Sequence, residues 1–99
     1  MKDRIRLDLN NPVFQRQLFE LEKEHQLAVL RALRKLSQLI WPALYSDRGF
    51  RWEAIVSRKG PAGKRLYTIR LSSGFRAVVH REDAWLRFLT LHPDHDSAY

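Results

Sequence analysis

The last third of the sequence combines arginines, histidines and a terminal tyrosine. Cleavage of RNA without a metal needs a base for the 2′-hydroxyl, cations for the developing phosphorane charge, and an acid for the leaving 5′-oxygen. Guanidinium groups match phosphate geometry, histidine titrates near neutral pH, and an aromatic ring can stack on an unpaired base. The residues that could supply these groups are Arg70, Arg76, Arg87, His80, His92, His95 and Tyr99.

The same residues also admit non-catalytic interpretations. His80 could be an ordinary exposed residue of a strand, and Arg87 could pair with Glu53 or Asp83 at the surface. The run His-Pro-Asp-His-Asp at 92–96 fits no usual zinc spacing, so its non-catalytic interpretation is a polar C-terminal turn. We therefore predict no metal site and no cofactor.

Four stretches have the composition of strands, because β-branched and aromatic residues recur in them. They are 51–57, 64–71, 75–81 and 84–91. Ser72-Ser73-Gly74 fits a three-residue hairpin loop, with Gly74 at the position that favours a left-handed backbone. A weaker alternating segment at 5–9 predicts a short fifth strand or an extended arm.

The three-residue loop fixes which side chains share a face of the sheet. It places Leu71 opposite Phe75 and Arg70 opposite Arg76, whereas a two-residue turn would mix arginines into the apolar face. The apolar face is then expected to carry Tyr67, Ile69, Leu71, Phe75, Ala77, Val79, Leu86 and Phe88, joined by Trp52, Ala54 and Val56. The basic face is expected to carry Thr68, Arg70, Arg76, Val78, His80 and Arg87, joined by Arg51 and Glu53. Arg76 is expected to be exposed.

Two helices are predicted before these strands. Asn10 or Asn11 can cap the first, and Pro12 suits its first turn. Its expected core stripe is Phe14, Leu18 and Leu21, and a break follows near 23–25. The second helix is expected to bury Leu27, Leu30, Leu33, Leu36 and Ile40. Pro42 is expected to end it, with 41–50 as a loop.

Composition and charge set the class of protein. The 99 residues fit one small domain spanning 1–99, and no run approaches the length of a membrane span. There is no cysteine, and the charged N-terminus is unlike a secretory signal, so we expect a cytoplasmic protein. The net charge of +7 favours a polyanionic partner such as nucleic acid, with an acidic protein or simple solubility as the alternatives.

Several motifs resemble the RelE/ParE toxin superfamily of bacterial type II toxin–antitoxin systems. They are the two helical patterns, Gly-Phe-Arg-Trp-Glu at 49–53, Tyr-x-Ile-Arg-Leu at 67–71, Gly-Phe-Arg at 74–76 and His-Asp-x-x-Tyr at 95–99. The stretch 66–80 is the most specific and is close to the RelE branch. The resemblance implies an α+β fold: a two-helix N-terminal hairpin packed on a twisted antiparallel sheet of four strands, or five with the N-terminal segment.

The resemblance also implies an activity and partners. RelE-like members cleave mRNA in the ribosomal A site without a metal, whereas ParE-like members inhibit DNA gyrase. A cognate antitoxin wraps and neutralises the toxin in a hetero-oligomer. The partners expected here are therefore an antitoxin, mRNA and the ribosome, with no membrane.

Site residues follow from the positions that match. Arg76 matches the arginine that contacts the scissile phosphate in RelE-like members, and Arg70 matches a strand residue that holds RNA. Tyr99 matches a terminal tyrosine that stacks on or orients the base. Glu53 corresponds loosely to a glutamate used as the base in certain relatives. The RNA-binding set is predicted to be Arg70, Arg87, Lys64, Arg65 and Arg51.

The chain departs from the family pattern at two positions. Thr68 stands where relatives often carry a second lysine, and Pro93 falls near the place of a tail arginine. The general acid is therefore open among His80, His92 and His95. The tail is expected to fold back and bring His92 or His95, with Tyr99, beside Arg76 and His80.

Three hypotheses from different classes follow. The first is a ribosome-dependent mRNA endoribonuclease toxin, the second a non-enzymatic gyrase inhibitor, and the third a basic binding module without catalysis. Histidines and a terminal tyrosine beside the basic cluster favour the first, because a binding module needs no groups that transfer protons.

Overall fold

The structure is a computed structural model that describes residues 4–93, except for the side chains of Arg58 and Pro61. It contains three α-helices and five strands within that range, together with a 3-10 turn at Pro61–Gly63. The helices are α1 (Pro12–Phe19), α2 (Lys23–Leu36) and α3 (Trp41–Ser46). The strands are β1 (Arg6–Asp8), β2 (Glu53–Lys59), β3 (Arg65–Arg70), β4 (Phe75–Glu82) and β5 (Trp85–Pro93).

The five strands form one sheet in the order β1-β5-β4-β3-β2. The strands from β2 to β5 pair antiparallel, as predicted, and β1 is the fifth strand that the alternation at 5–9 indicated. However, β1 pairs with β5 in parallel, so the sheet is mixed rather than antiparallel. The α+β class is confirmed, and the expectation of two helices is wrong because a third helix follows α2.

The first helix begins as its sequence predicts. The side chain of Asn11 accepts hydrogen bonds from the backbone N–H groups of Val13 and Phe14, and Pro12 occupies the first turn. At the other end, the side-chain amide of Gln26 donates to the carbonyls of Leu18 and Phe19. These bonds satisfy carbonyls that the helix end leaves without intrahelical partners, and they join α1 to α2.

The buried face of α2 differs in part from the predicted stripe. Leu33 and Leu36 are buried as expected, but Val29 completes that face. Leu27 and Leu30 are roughly half exposed, and Ile40 lies beyond the end of the helix. The reason is that Val29, Leu33 and Leu36 follow spacings of four and three, which keep one helix face toward the sheet.

The helix α3 corrects the prediction of a loop at 41–50. Pro42 lies in the first turn of α3 instead of ending α2, because a proline at that position gives up an N–H that has no helical partner. Trp41 and Leu44 are buried by the helix. Trp52 packs against the same core and stacks on Tyr67 with ring centroids 4.3 Å apart.

The β3–β4 hairpin has the predicted register. Arg70 is the partner of Arg76, and the N–H of Leu71 donates to the carbonyl of Phe75 at 2.9 Å. The prediction of a left-handed backbone at Gly74 is wrong. Among residues 4–93 the glycine with a positive φ is Gly63. The loop is held instead by the Ser72 hydroxyl, which accepts from the N–H of Gly74.

The two faces of the sheet have the predicted difference in polarity. The helices cover the face that carries Ile69, Leu71, Ala77, Val79, Leu86 and Phe88, with Tyr67 and Phe75 packed against it. The expectation that Val56 packs under the helices is wrong, since Val56 is 92% exposed in the middle of the edge strand β2. Ile55 points to the other face and forms a small buried cluster with Leu66 and Val78.

A β-bulge interrupts β5 and was not predicted. Val79 pairs with Phe88 whereas Val78 pairs with Thr90, so Leu89 and Thr90 together oppose one residue of β4. The extra residue reverses the alternation beyond it. Leu91 therefore enters the core, and His92 lies on the face opposite the helices, beside Arg76.

None of the helices in residues 4–93 is both long enough and apolar enough to span a membrane.

Candidate active site on the sheet

The face of the sheet opposite the helices carries two groups of polar side chains. The group that we call the Arg76 cluster contains Arg51, Glu53, Thr68, Arg70, Arg76, Thr90 and His92. The group that we call the His80 cluster contains Asp8, Lys64, His80, Glu82 and Arg87. The apolar residues Ile55, Leu66 and Val78, with Leu89 against them, lie between the two groups.

The separation divides the predicted site. Arg76 and His80 lie four residues apart along β4, which places their Cα atoms about 13 Å from each other. A proton donor at His80 is therefore too far from Arg76 to act on the same bond, given that such a donor must approach within about 3 Å of its target. The structure brings Glu53, Arg70, Arg76 and His92 together, and it leaves His80 and Arg87 with the other group.

Arg76 is buried, which corrects the expectation of an exposed side chain. Its relative exposure is 5%, and one guanidinium nitrogen donates to the hydroxyl of Thr68 at 2.7 Å. The same nitrogen lies 3.8 Å from a carboxylate oxygen of Glu53. A guanidinium held by neighbours in this way loses little entropy on binding an anion, which suits a group that stabilises charge.

His92 lies directly across from Arg76 on the neighbouring strand. Side chains in such a pair have their Cβ atoms about 5 Å apart, so the imidazole and the guanidinium can reach one phosphate. The Nε2 atom of His92 is 2.8 Å from the hydroxyl of Thr90. Of the three candidate histidines, His92 is therefore the one that the described structure places beside Arg76.

Gln17 on α1 holds the segment of β5 that follows the bulge, and sequence reasoning missed it. Its side-chain oxygen accepts a hydrogen bond from the N–H of Leu91 at 2.7 Å. The pairing of β1 with β5 ends at Arg87, so β1 offers no acceptor for the N–H of Leu91. The side chain of Gln17 accepts that hydrogen bond instead. The apolar residue at 91 between polar residues at 90 and 92 was the sequence signal for the changed alternation.

Glu53 begins β2 and pairs with Thr68 of β3. Its carboxylate lies between two arginines, 3.5 Å from Arg51 and 3.8 Å from Arg76, and remains partly exposed. Glu53 therefore lies on the predicted face of the sheet, beside Arg76. The carboxylate could accept a proton from a bound hydroxyl, because it is within reach of solvent and next to the guanidinium of Arg76.

The two cations of the His80 cluster, Arg87 and Lys64, both form ion pairs. Arg87 bonds to Glu82 at 2.7 Å and to Asp8, rather than to the predicted partners Glu53 or Asp83. The hydrogen bonds from Arg87, assisted by its charge and that of Lys64, lower the pKa of Glu82. The hydrogen bond to Glu82 in turn raises the pKa of Arg87. Partial burial opposes this increase, and the hydrogen bond to Asp8 adds to it.

The charge balance of the two clusters differs. Among the described residues, the Arg76 cluster sets three arginines against the single carboxylate of Glu53. The His80 cluster sets Arg87 and Lys64 against Asp8 and Glu82. Among these residues the Arg76 cluster is therefore net positive, whereas the charges of the His80 cluster balance.

Two further predicted RNA-binding residues lie away from the Arg76 cluster. Lys64 is 3.5 Å from Glu82 and belongs to the His80 cluster. Successive side chains of β3 point to opposite faces of the sheet, and Leu66 and Thr68 point to the face that carries the Arg76 cluster. Arg65, next to Leu66, therefore points to the other face. The predicted candidates His95 and Tyr99 lie outside the described residues, and the predictions that concern them stay as predictions.

One group of potential metal ligands occurs in residues 4–93. Glu22, Glu24 and His25 bring their ligand atoms within 4.8 Å of one another at the start of α2. The two carboxylates are exposed, and the ring of His25 packs edge-on against Phe75 with centroids 5.2 Å apart. This group belongs to the helix layer, on the other side of the sheet from the Arg76 cluster.

Comparison with protein-family models, with curated proteins and with solved structures finds no match for this chain. The geometry of the sheet face and the chemistry of its side chains are therefore the observations that bear on function.

His80 is buried, neither an ordinary exposed residue nor a member of the Arg76 cluster. Its relative exposure is 6%, and its Nδ1 has no hydrogen-bond partner among the described residues. Burial lowers the pKa of His80 below its usual 6.5; Arg87 and Lys64 lower it further, whereas Glu82 and a backbone hydrogen bond oppose the shift. As pH falls below 6.5, the unfolded chain takes up this proton before the folded protein does, and stability decreases.

We expect this loss of stability to disappear when His80 is replaced by glutamine. Urea midpoints measured from pH 7.5 to 5.5 should fall with pH for the wild type and stay nearly level for His80→Gln. Glu82 does not contribute to this pH dependence. Its pKa is lowered from the usual 4.5, so it affects stability only below that pH. His25→Gln is the matched control and should follow the wild type. A His80→Gln variant with the wild-type pH dependence would contradict the assignment.

Proposed function

We propose that this protein is a metal-independent endoribonuclease of the RelE type, the toxin of a type II toxin–antitoxin pair, and that it cleaves mRNA on the ribosome. The observation that carries the proposal is the Arg76 cluster. Arg76 and His92 face each other across two strands, and Glu53 lies 3.8 Å from Arg76. One small area therefore holds a candidate base, a phosphate-binding cation and a candidate acid.

These groups fit a defined reaction. Glu53 takes the proton of a ribose 2′-hydroxyl, and the oxygen attacks the adjacent phosphorus. Arg76 and Arg70 stabilise the extra negative charge on the phosphorane oxygens. The bond from phosphorus to the 5′-oxygen then breaks, and His92 gives that oxygen a proton. The products are a 2′,3′-cyclic phosphate and a 5′-hydroxyl, and the reaction needs no metal, oxidant or further reactant.

The charge of the chain supports an RNA substrate and an acidic partner. The net charge of +7 attracts polyanions, and the three arginines of the Arg76 cluster outnumber its carboxylate among residues 4–93. A ribosome would present mRNA as a single strand, in which bases are open to contact. An antitoxin that covers this face would need acidic side chains to compensate the arginines.

The burial of Arg76 favours a second candidate, a basic binding module without catalysis that includes the gyrase-inhibitor hypothesis. The side chain of Arg76 is 6% exposed, so the substrate must reach it through a small opening or after a local rearrangement. A binding module needs no such access, because Arg51 and Arg70 at the rim could bind a partner directly. The two candidates differ in the products that they leave.

The discriminating experiment is cleavage of mRNA by the purified protein in a reconstituted translation reaction. Primer extension should map breaks in translated mRNA, and the 5′ fragments should end in a 2′,3′-cyclic phosphate. A transcript that carries one 2′-deoxynucleotide at a mapped site should resist cleavage there, because the nucleophile is missing, and should be cut normally elsewhere.

Other products would overturn the proposal. Fragments with 5′-phosphate ends, or cleavage at the 2′-deoxynucleotide, would rule out the 2′-hydroxyl mechanism. Intact mRNA together with inhibition of DNA supercoiling by gyrase would establish the second candidate instead.

A further inference from the structure

Trp85 is an exposed tryptophan on the same face of the sheet as the Arg76 cluster, and no step of the proposed reaction uses it. It begins β5, and alternation along that strand puts it on the side of Arg87, away from the core residue Leu86. Its relative exposure is 38%, whereas Trp41 is buried. A large ring with one edge in water is well suited to contact a ligand.

Two backbone features hold Trp85 in place. It pairs with Glu82 across a tight turn in which Asp83 has a left-handed φ of 55°. On its other side Arg6 of β1 is its parallel partner, and the N–H of Arg6 donates to the carbonyl of Ala84 at 2.9 Å. A tryptophan whose backbone is fixed by strands on both sides loses little freedom when a ligand stacks on it, so less of the interaction energy is offset by ordering.

Arg6 adds a positive charge beside the ring. Its guanidinium carbon lies 5.9 Å from the centroid of the Trp85 ring, within the range of a cation–π contact. Among residues 4–93 Arg6 forms no salt bridge, whereas Arg87 and Lys64 are paired with carboxylates. Arg6 is exposed, so its guanidinium can bind a phosphate without giving up an ion pair.

A cleft of about 620 Å³ adjoins the ring where β1 passes into α1. Trp85 and Arg87 line it, together with residues 7–10 and Gln15 of α1. Its volume lies within the range of sites that hold small ligands, about 300 to 1,000 Å³. The cleft is therefore large enough for a nucleobase and its sugar.

The connection between β1 and α1 supplies hydrogen-bonding groups to the cleft. The side-chain amide of Gln15 donates to the carbonyl of Leu9 at 2.8 Å, which fixes the shape of the connection. The N–H of Asn10 donates to Asp8 at 2.9 Å and fixes it further. Within residues 4–93 the side-chain oxygen of Gln15 and the side-chain amide of Asn10 remain without a hydrogen bond. Such groups can bond to the edge of a base.

Trp85 lies on the face of the Arg76 cluster but at a distance from it. Glu82, the partner of Trp85, is six residues from Arg76 along β4, which corresponds to about 20 Å. The charges of the His80 cluster, which lies on the way, balance, so a phosphodiester chain meets no net repulsion there. A single strand with the usual footprint of about 4 to 16 nucleotides can cover this distance.

We propose that Trp85 stacks on a base of single-stranded RNA several nucleotides away from the scissile bond, with Arg6 on an adjacent phosphate and Asn10 and Gln15 at the edge of the base. The inference rests on the proposed function, because the RNA is the one whose scissile phosphate lies at Arg76. It gives β1 and its connection to α1 a role in substrate binding, in addition to their role in the sheet.

The first test measures binding without cleavage. Fluorescein-labelled 2′-O-methyl oligoribonucleotides of about 3 to 12 nucleotides lack the nucleophile and bracket the length that spans Arg76 and Trp85. For the wild type, affinity by fluorescence anisotropy should rise at that length. Trp85→Leu should remove the rise, so that long strands bind about tenfold to a hundredfold more weakly, as expected for loss of one stacked base. Trp85→Phe keeps a ring and should retain most of the affinity.

A second readout identifies the ring that stacks. A base stacked on an indole quenches its fluorescence, so long strands should quench the tryptophan emission of the wild type. Trp85→Phe should keep the binding but lose the quenching. Trp41 and Trp52 pack with the core in the helix layer and provide the emission that remains.

Tyr45→Leu is the matched control, because Tyr45 is an aromatic residue of similar exposure, 45%, on α3 in the helix layer. It should leave the affinity unchanged. Arg6→Gln should reduce the salt dependence of log K for long strands by about 0.7, the value for one phosphate contact on a single strand. Arg34→Gln, which replaces an exposed arginine of α2, should leave that slope nearly unchanged.

The outcomes separate this inference from the proposed function. If Trp85→Leu and Tyr45→Leu bind long strands alike, if Trp85→Phe keeps the quenching, or if the wild type binds no strand, the stacking contact is wrong, and cleavage of mRNA still decides the proposed function. If binding depends on Trp85 but translated mRNA stays intact, the contact stands and the proposed function is wrong. A polyglutamate peptide that binds more tightly than RNA of equal charge, and that Trp85→Leu weakens equally, would assign the contact to an acidic protein and overturn the inference.

Discussion

Replacing His92 with glutamine is expected to lower the single-turnover rate constant of RNA cleavage by about 10²- to 10⁴-fold, the range for loss of a general acid. Glutamine can still hydrogen-bond to the Thr90 hydroxyl, which lies 2.8 Å from Nε2 of His92, but it cannot transfer a proton. The wild-type rate should fall at high pH as the imidazolium is lost. The variant should lose this fall near neutral pH.

His80→Gln is the control for His92→Gln, since both histidines lie on the same face of the sheet. His80 belongs to the other cluster, so its replacement should leave the rate constant and its pH dependence unchanged when measured on folded protein. A large loss of rate in His80→Gln together with a normal His92→Gln would reverse the assignment of the acid.

Replacing Arg76 with methionine is expected to lower the same rate constant by about 10²- to 10³-fold, as expected for loss of one preorganised charge donor. Methionine fills much of the buried volume and removes the guanidinium. The variant also loses the 2.7 Å hydrogen bond to Thr68, which should cost about 1–3 kcal/mol of stability because that partner is buried. Cleavage is therefore measured well below the variant's melting temperature, with folding checked by circular dichroism.

Arg87→Met provides the matched control for Arg76→Met. Arg87 lies on the same face, but its guanidinium is bound to Glu82 and Asp8, so cleavage should stay near the wild-type rate. Cleavage that survives in Arg76→Met and fails in Arg87→Met would move the phosphate site to the His80 cluster. Loss of cleavage in both variants would indicate that the whole face, rather than one cluster, binds RNA.

The sequence determined the register of β3 and β4 and the polarity of the two sheet faces. Apolar residues occupy the alternating positions Tyr67, Ile69 and Leu71, and after the loop Phe75, Ala77 and Val79. A one-residue shift would have brought Arg70 or Arg76 into the core. Because burying an unpaired guanidinium costs several kcal/mol, one register is strongly preferred. The cap at Asn11 was predictable for a similar reason, since it depends on contacts within one turn.

Local signals were less informative where two structural roles compete for the same residue. Pro42 can follow one helix or begin the next, and the sequence alone did not decide between them. Packing against the core selected the second role, because α3, which has Pro42 in its first turn, buries Trp41 and Leu44. Similarly, the α2 stripe depended on whether Val29 or Leu30 faced the sheet, and the packing of neighbouring elements selected Val29.

The division of the basic face into two clusters was decided by the tertiary structure alone. The bulge at Leu89 and Thr90 turns His92 toward Arg76, and Gln17, 74 positions earlier than Leu91, holds that segment in place. Asp8, 79 positions from Arg87, occupies its guanidinium. Pairings across such distances depend on how α1 and β1 dock against β5, and no local pattern of residues encodes the docking. The sequence therefore determined which residue types are available for the proposed reaction, and the packing of the N-terminal segment determined which of them meet.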